Sequence, residues 1–453
     1  MDLKERIDEI LVTAATMDFE TEDDYLKWIN DTFEELGLKA HIQKEDSSFA
    51  VVYGVHSTKV DYIDANLKLL SKLAVVEGSI DEWDYIEDPV RKDRIVLTAY
   101  KGTSTNIKIP NVINGYLISE LYDGVFQISS VTNTLTSVEF SEGLTKIGAK
   151  AFSGCTNLTT IVNWPSTLEE IGEEAFYGCG KLNLNLKFTE NMKKVGARAF
   201  YNCSEIQATV TDILITGVEY GAGVFNGCSK ITGNIGTAMD ILYNSETGLT
   251  KVQDNMFYGM TGLSGTIVIP DNIEIIGANA FYGCSKISGI LTISSNLEEI
   301  GSNAFYGCKG ITGLDISNAV KIENGKEVST LKKIGDRAFY NCSKMGGELL
   351  FKEGLEIIGV GCFYNTNIKK LNLPSTLTSV GAYAFNGSVV EMVNFDCGDV
   401  FGYDNNFGIF AGCKSLTSIT FGENCSMTGF QYRMFNGCIS LQSIKIADSF
   451  TII

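Results

Sequence analysis

A chain of 453 residues can hold a globular domain and an extended array, and with no run of about eighteen apolar residues it contains no transmembrane helix. The formal charge is −19, and Met1–Lys92 alone carries 22 acidic against 10 basic residues, hence −12, leaving −7 for the rest. Such a balance excludes a nucleic-acid backbone, which asks for Lys/Arg stripes that release counterions, and disfavours an anionic membrane surface.

Residues 1–92 read as a small acidic α/β domain. Leu3, Ile7, Ile10, Leu11 and Ala14 share one helical face. Thr21 with Asp24 resembles a capping box opening a second helix, with Leu26, Ile29, Phe33 and Leu36 as its apolar stripe and Gly37 as its stop. Leu38–Gln43 and Ser48–Tyr53 read as a strand pair across the polar Lys44-Glu45-Asp46 turn. Val60, Ile63, Leu67, Leu70 and Leu73 mark a third helix, Trp83–Ile86 a further strand, and Glu87–Lys92 a hinge. No basic n-region precedes an apolar h-region in Met1–Ala15, so no secretory signal is read there. The domain either caps the array that follows or docks it onto a larger assembly.

From residue 93 the chain repeats. Ile276-Gly277-Ala278-Asn279-Ala280-Phe281-Tyr282-Gly283-Cys284 returns as Ile300-Gly301-Ser302-Asn303-Ala304-Phe305-Tyr306-Gly307-Cys308, twenty-four residues on. A marker phenylalanine sets the register at 126, 152, 176, 200, 225, 257, 281, 305, 339, 363, 385, 410 and 435, mostly 22 to 26 residues apart. The two longer spacings place insertions near Thr237–Gly248 and Ser317–Ser329, both expected to project as loops. Each unit begins with an apolar alternation such as Ile267-Val268-Ile269-Pro270, a strand that its proline ends. The segment from Ile-Gly to Phe-x-Gly-Cys, with Ile276, Ala280 and Phe281 on one face, suits one or two tight helical turns, and Gly283 supplies the turn out of it. One unit cannot hide its own apolar face, so the stable object is a stack of about 13 coils carrying a parallel sheet.

These motifs resemble the BspA-like (Treponema-type) leucine-rich repeat, L-x-x-I-x-I-P-x-x-L-x-x-I-G-x-x-A-F-x-G-C, over residues 93–453. Tyr100-Lys101-Gly102, Ile107-Lys108-Ile109-Pro110 and Ile113-Asn114-Gly115 look like its opening repeat. The resemblance implies an α/β fold class of a particular kind: a right-handed leucine-rich-repeat solenoid with its parallel sheet on the concave side. It also implies binding rather than catalysis, at a cell surface or outside the cell. Fold alone does not carry function.

Nine of the twelve cysteines (155, 179, 203, 228, 284, 308, 342, 413 and 438) stand three residues after the marker phenylalanine, where other repeats place Met260, Thr366 or Ser388. A residue tied to register reads as a small buried group, hence a reduced thiol. Cys362, Cys397 and Cys425 fall outside the register and leave a bridge among themselves open.

Chemistry is sparse. The two histidines, His41 and His56, both lie in the N-terminal domain, so no repeat holds a Ser/His/Asp or Cys/His pair or a His-based zinc site. No P-loop occurs, and Asn226 breaks a dinucleotide fingerprint around Gly221 and Gly223. Asp396, Asp399, Asp404, Asn405 and Asn406 could hold calcium, but without EF-hand order they read first as a solvated turn. No catalytic residue, cofactor or metal is therefore expected.

Two surface stripes remain. Tyr177, Tyr201, Tyr258, Tyr282, Tyr306, Tyr340 and Tyr364 follow the marker and should form an aromatic ladder, either a shield or a contact surface for sugar or protein. On the strands, the outward positions are Thr159, Thr160, Lys369, Lys370, Asn372, Glu391, Asn394, Thr417, Ser418, Thr420, Gln442, Ser443 and Lys445. The eleven from Lys369 onward form the expected partner-binding surface, the alternative being a solvated sheet face. The expected function is non-enzymatic binding or adhesion to a protein or glycan on another cell. A rival reading is a virion-associated component of a phage tail or injection particle that docks through residues 1–92 and recognises the host through the repeats. Leu441–Ile446 is a strand with no visible cap beyond it, so either that coil pairs with another copy, the first expectation, or the array is part of a longer one.

Overall fold

The computed structural model describes residues 27–28, 31, 40–45, 48–53, 56–60, 81–89, 94–113, 116–127, 131–398, 408–425, 430 and 432–447. All of the first expected helix, the third helix beyond Val60 and the calcium-loop residues Asp399–Asn406 lie outside them, as do residues 448–453. Lys27, Trp28 and Asp31 are helical, within the second helix. Ala40–Glu45 pairs antiparallel with Ser48–Tyr53 in the register Ala40↔Tyr53, so the first strand runs through Lys44 and Glu45, which the sequence suggested for the turn. Ser48–Tyr53 pairs in turn with a third strand, His56–Val60, so Val60 is extended rather than helical.

The described residues divide into two compact units: residues 1–206 with 218–224, and residues 207–217 with 225–453. Each is a β-solenoid. In the first unit one ladder runs through Glu219–Tyr220, Lys194–Val195, Glu170–Ile171, Lys146–Ile147, Tyr116–Leu121 and Arg94–Tyr100, all parallel. A second joins Asn106–Lys108, Ser137–Glu139 and Thr160–Val162. In the second unit a two-residue ladder runs from Lys251–Val252 through Ile275–Ile276, Glu299–Ile300, Lys333–Ile334 and Ile357–Ile358 to Ser379–Val380. Longer strands form Gly346–Leu350, Asn367–Leu373, Met392–Phe395, Ser418–Phe421 and Ser443–Ile446, again parallel. Most coils therefore contribute to two ladders, where the sequence suggested one.

The first unit's sheet ends on an antiparallel strand. Trp83–Glu87 pairs with Arg94–Tyr100, and Trp83 lies 4.8 Å from the Tyr100 ring and 5.9 Å from Phe126. Trp83 is 2% exposed and covers the end of the aromatic stack. Asp88, at the start of the expected hinge, is buried and accepts from the Ser119 hydroxyl at 2.9 Å.

The marker segment is not helical. In the coil at 277–284, alternate amides point in opposite senses: Asn279, Phe281 and Gly283 donate to Ser302, Ala304 and Tyr306 of the next coil. Ala280, Tyr282 and Cys284 donate three residues back, to Gly277, Asn279 and Phe281. Half the amides are thus spent between coils, and an α-helix, which spends them all on its own chain, cannot form. Asn279 at φ 56° and Gly283 at φ 74° bend the segment through the left-handed region. Glycine or asparagine at the second position meets the lowest cost there, which explains Gly283, Gly307, Asn341 and Asn365 in that place.

The glycine of the Ile-Gly pair serves another purpose. A Cβ on Gly172 would lie 2.3 Å from the Ala149 backbone nitrogen, so the neighbouring coil, not φ, demands it. Marker phenylalanines fill the interior. Those at 126, 152, 176 and 200 stack at 4.8 to 5.3 Å. In the second unit the stack runs from Phe257 to Phe435, at 5.0 to 6.1 Å. All thirteen markers are buried except Phe435, which is half-buried.

The two insertions part ways. Near Thr237–Gly248 the chain does not project: Ile235–Tyr243 is an α-helix capped by Asn234, whose side chain accepts from the Gly236 and Thr237 amides. It buries Ala238, Met239, Leu242 and Tyr243. Near Ser317–Ser329 the chain does project. Val320–Glu323 and Lys326–Ser329 form an antiparallel hairpin turned by Asn324-Gly325, both at positive φ.

Candidate functional site

Period-two alternation places the expected binding residues. In the five-stranded sheet of the second unit, Leu371, Val393 and Ile419 align and are at most 3% exposed, and Leu373, Phe395 and Phe421 do the same beside them. Inward pointing of these side chains turns the flanking positions outward. One outward column runs Glu348, Lys370, Met392, Ser418, Ser443, and its neighbour runs Leu350, Asn372, Asn394, Thr420, Lys445. Lys369, Glu391, Thr417 and Gln442 stand at the strand entrances, with the Glu391 amide bonded to Lys369 and the Gln442 amide to Thr417. The eleven expected residues therefore lie on one face or at its entrance.

Parallel register makes neighbouring coils meet like with like or charge with charge. The Lys370 ammonium lies 2.6 Å from Glu348, which holds its pKa above the ordinary lysine value. Lys369 and Glu391 are 3.4 Å apart. The Asn394 amide donates to Asn372 at 2.7 Å, and Asn372 donates onward to the Phe351 carbonyl at 3.0 Å. Thr417 donates to the Glu391 carbonyl. Beyond these, Thr420, Gln442 and Lys445 are exposed. Two apolar side chains, Met392 (40%) and Leu350 (50%), are also exposed on this face and were not among the expected residues. Each pairs across the ladder with one that was, Met392 with Lys370 and Leu350 with Asn372. Register alone could have found them, because an apolar side chain at an outward position carries no other mark in the sequence.

The family model for the BspA type leucine-rich repeat region matches six copies, over residues 119–246, 250–390 and 406–453. The chain belongs to that family. Among solved structures it is similar to a leucine-rich cell surface protein of Faecalibacterium prausnitzii, at 21% identity and TM-score 0.44, covering 82% of this chain and 94% of that one. It is also similar to a leucine-rich repeat protein of Bacteroides ovatus, at 19% identity and TM-score 0.46, covering 83% and 99%. A third is the pneumococcal vaccine antigen PcpA, at 14% identity and TM-score 0.47, covering 83% and 98%. No curated protein matches it significantly. Membership rests on the repeat match.

The BspA-type repeat carries two further ladders, and neither is a reactive site. Tyr258, Tyr282, Tyr306, Tyr340 and Tyr364 stack at 4.4 to 4.9 Å with their planes within 7°. Each inner ring covers its neighbour's face, so the open ring face that a sugar would stack on is already taken. Burial, then the flanking phenols, raises the pKa of Tyr282. The cysteine slot is a donor slot: Cys284, Cys308 and Cys342 direct their thiols at the marker carbonyl of the preceding coil, at 3.0 to 3.1 Å. Ser388 does the same at 2.8 Å, which explains why serine substitutes there. None of the twelve cysteines, Cys362, Cys397 and Cys425 included, is in a disulfide, and Cys425 donates to the Cys397 carbonyl. Burial pushes Cys155, Cys284, Cys342 and Cys413 up to about 12, so none is a nucleophile at neutral pH.

Among the described residues no group of three or more His, Cys, Asp or Glu side chains could hold a metal, and no helix is long and apolar enough to cross a membrane.

Proposed function

We propose that this BspA-type repeat protein is a non-enzymatic binding module that presents the five-stranded face of its second unit to a protein or glycan at a cell surface. The observation that carries the reading is the outward register just described. Lys370, Asn372, Asn394, Thr420 and Lys445 line up with exposed Met392 and Leu350 over a rigid, dry support. A registered polar sheet with a few apolar side chains and repeated spacing is how solenoids meet extended partners. The family's repeat architecture, and a similar protein described as a cell surface protein, support the same setting.

The test is adhesion of the labelled protein to intact epithelial cells, compared with a Met392→Glu/Asn394→Arg variant. Both side chains are exposed, so the fold should persist by circular dichroism. Binding should fall at least tenfold, the scale of a central interface contact. Unchanged adhesion would remove this face from the function.

A further inference from the structure

The projecting hairpin walls one side of a half-open cavity. Val320 and Lys321 from the hairpin, Thr330 and Lys332 from its return, and Glu274, Asn296 and Glu298 from two coils surround a space of about 300 Å³. That lies at the lower end of small-molecule sites, roughly 300–1,000 Å³, and suits one small ring rather than a stretch of peptide.

Its polar groups are left over from the fold. Glu274 and Glu298 stand on successive coils, joined by the Glu298 amide to the Glu274 carbonyl at 2.8 Å. Neither carboxylate has a hydrogen-bond donor or an ion pair among the described residues. Asn296 spends its amide on the Asp271 carbonyl, at 2.7 Å, leaving its oxygen free to accept. The Thr330 hydroxyl is buried and has no partner. A buried unpaired hydroxyl costs stability and is uncommon in a finished fold. Thr330 lines the cavity, and rotation of its side chain would offer that hydroxyl to a ligand.

The charges narrow the class of ligand. Lys321 lies 2.8 Å from Glu323, and Lys332 lies 3.7 Å from Glu356, so the lysines are partly engaged while facing the cavity. Glu323 and Glu356 match the two lysine charges, so the carboxylates of Glu274 and Glu298 leave the lining rich in acceptors. An anion would meet repulsion from both of these carboxylates. A neutral polyol both donates and accepts: its vicinal hydroxyls can donate to the carboxylates, Asn296 and Thr330 and accept from the lysines. We propose that the cavity beneath the Asn324-Gly325 hairpin binds a neutral polyhydroxylated ring such as a hexose, free or at the end of a glycan. This site is separate from the sheet face, so variants of one leave the other intact.

The probes are the methyl glycosides of glucose, galactose and mannose, followed by saturation-transfer NMR and calorimetry, and the same hexoses coupled to albumin. Binding is expected for at least one hexose, with affinity reduced tenfold or more by Glu274→Ala/Glu298→Ala, since bonds to charged groups are the strong ones. Thr330→Val should weaken binding while leaving thermal stability equal or higher, an outcome that a purely structural hydroxyl would not give. Binding of the free glycoside alone assigns a free sugar, and binding of the conjugate as well assigns a glycan end. No binding in either arm, binding indifferent to these variants, or displacement by ethanolamine or calcium would overturn the proposal. Met392→Glu, on the sheet face, should leave hexose binding unchanged.

Discussion

At the scale of single residues the repeat is held by positions that tolerate little. Gly172 is demanded by the neighbouring backbone, so Gly172→Ala should cost about 1–3 kcal/mol, the usual range for overpacking, read from urea denaturation. A Cβ on Gly154 would meet nothing within 4 Å, and only its φ of +79° resists a side chain, so Gly154→Ala should cost less, about 1 kcal/mol. Equal costs would mean that neighbouring coils can move apart to admit a methyl group. The thiols set a pH dependence. Their folded pKa values of about 12 lie above the ordinary 9.0, so the unfolded chain releases protons first. Stability from these groups is therefore fully present below pH 9 and lost as pH rises toward 12. Each such thiol should add to the decline across that window, by about 1 kcal/mol per pH unit. Cys284→Ser/Cys342→Ser should flatten the decline, because serine does not titrate and can keep the bond to the marker carbonyl, as Ser388 does. A denaturation midpoint whose fall above pH 9 is the same in both proteins would contradict the buried state of these thiols.

At the scale of elements, the contrast between what the sequence reveals and what it hides has a physical cause. The marker phenylalanine, the cysteine slot and the outward alternation of Lys370, Asn372 and Asn394 are legible because each is a periodic pattern along one chain. The marker turns are not. Whether Phe281 donates to its own coil or to Ala304 of the next is decided by contacts twenty-odd residues away, and the i, i+4, i+5 spacing of Ile276, Ala280 and Phe281 fits both. The insertion at 235–243 shows the same limit: its apolar residues could have lined a loop, and only packing made them a buried helical face. The cavity at Thr330 was hidden because it is made by a hairpin folding back over two earlier coils. Trp83–Glu87 is the element on which the first unit's edge depends. Trp83→Ala should cost about 3–5 kcal/mol, the range for deleting a buried tryptophan. In a solenoid that loss is local, so hydrogen exchange should accelerate first at 94–126 and leave 333–358 unchanged. Uniform acceleration along the chain would contradict the capping role.

At the scale of the whole molecule, a chain that belongs to the BspA-type repeat family places its apolar and thiol ladders inside each unit and leaves polar, registered columns outside. The net charge of −19 gives that exterior a general preference against polyanions, and under the two proposals above partner choice falls to Met392 and the cavity at Thr330. Everything proposed for the exterior depends on the interior being dry and uncross-linked. Thiol counting by mass spectrometry tests that most directly, with iodoacetamide at pH 8 in the absence of reductant, before and after unfolding in guanidinium. The eleven buried cysteines should stay unmodified in the native protein, half-buried Cys438 alone should react slowly, and all twelve should react once unfolded. Rapid native labelling of Cys284, Cys308 or Cys342, or the recovery of any of them as a cystine, would contradict this structure of the interior.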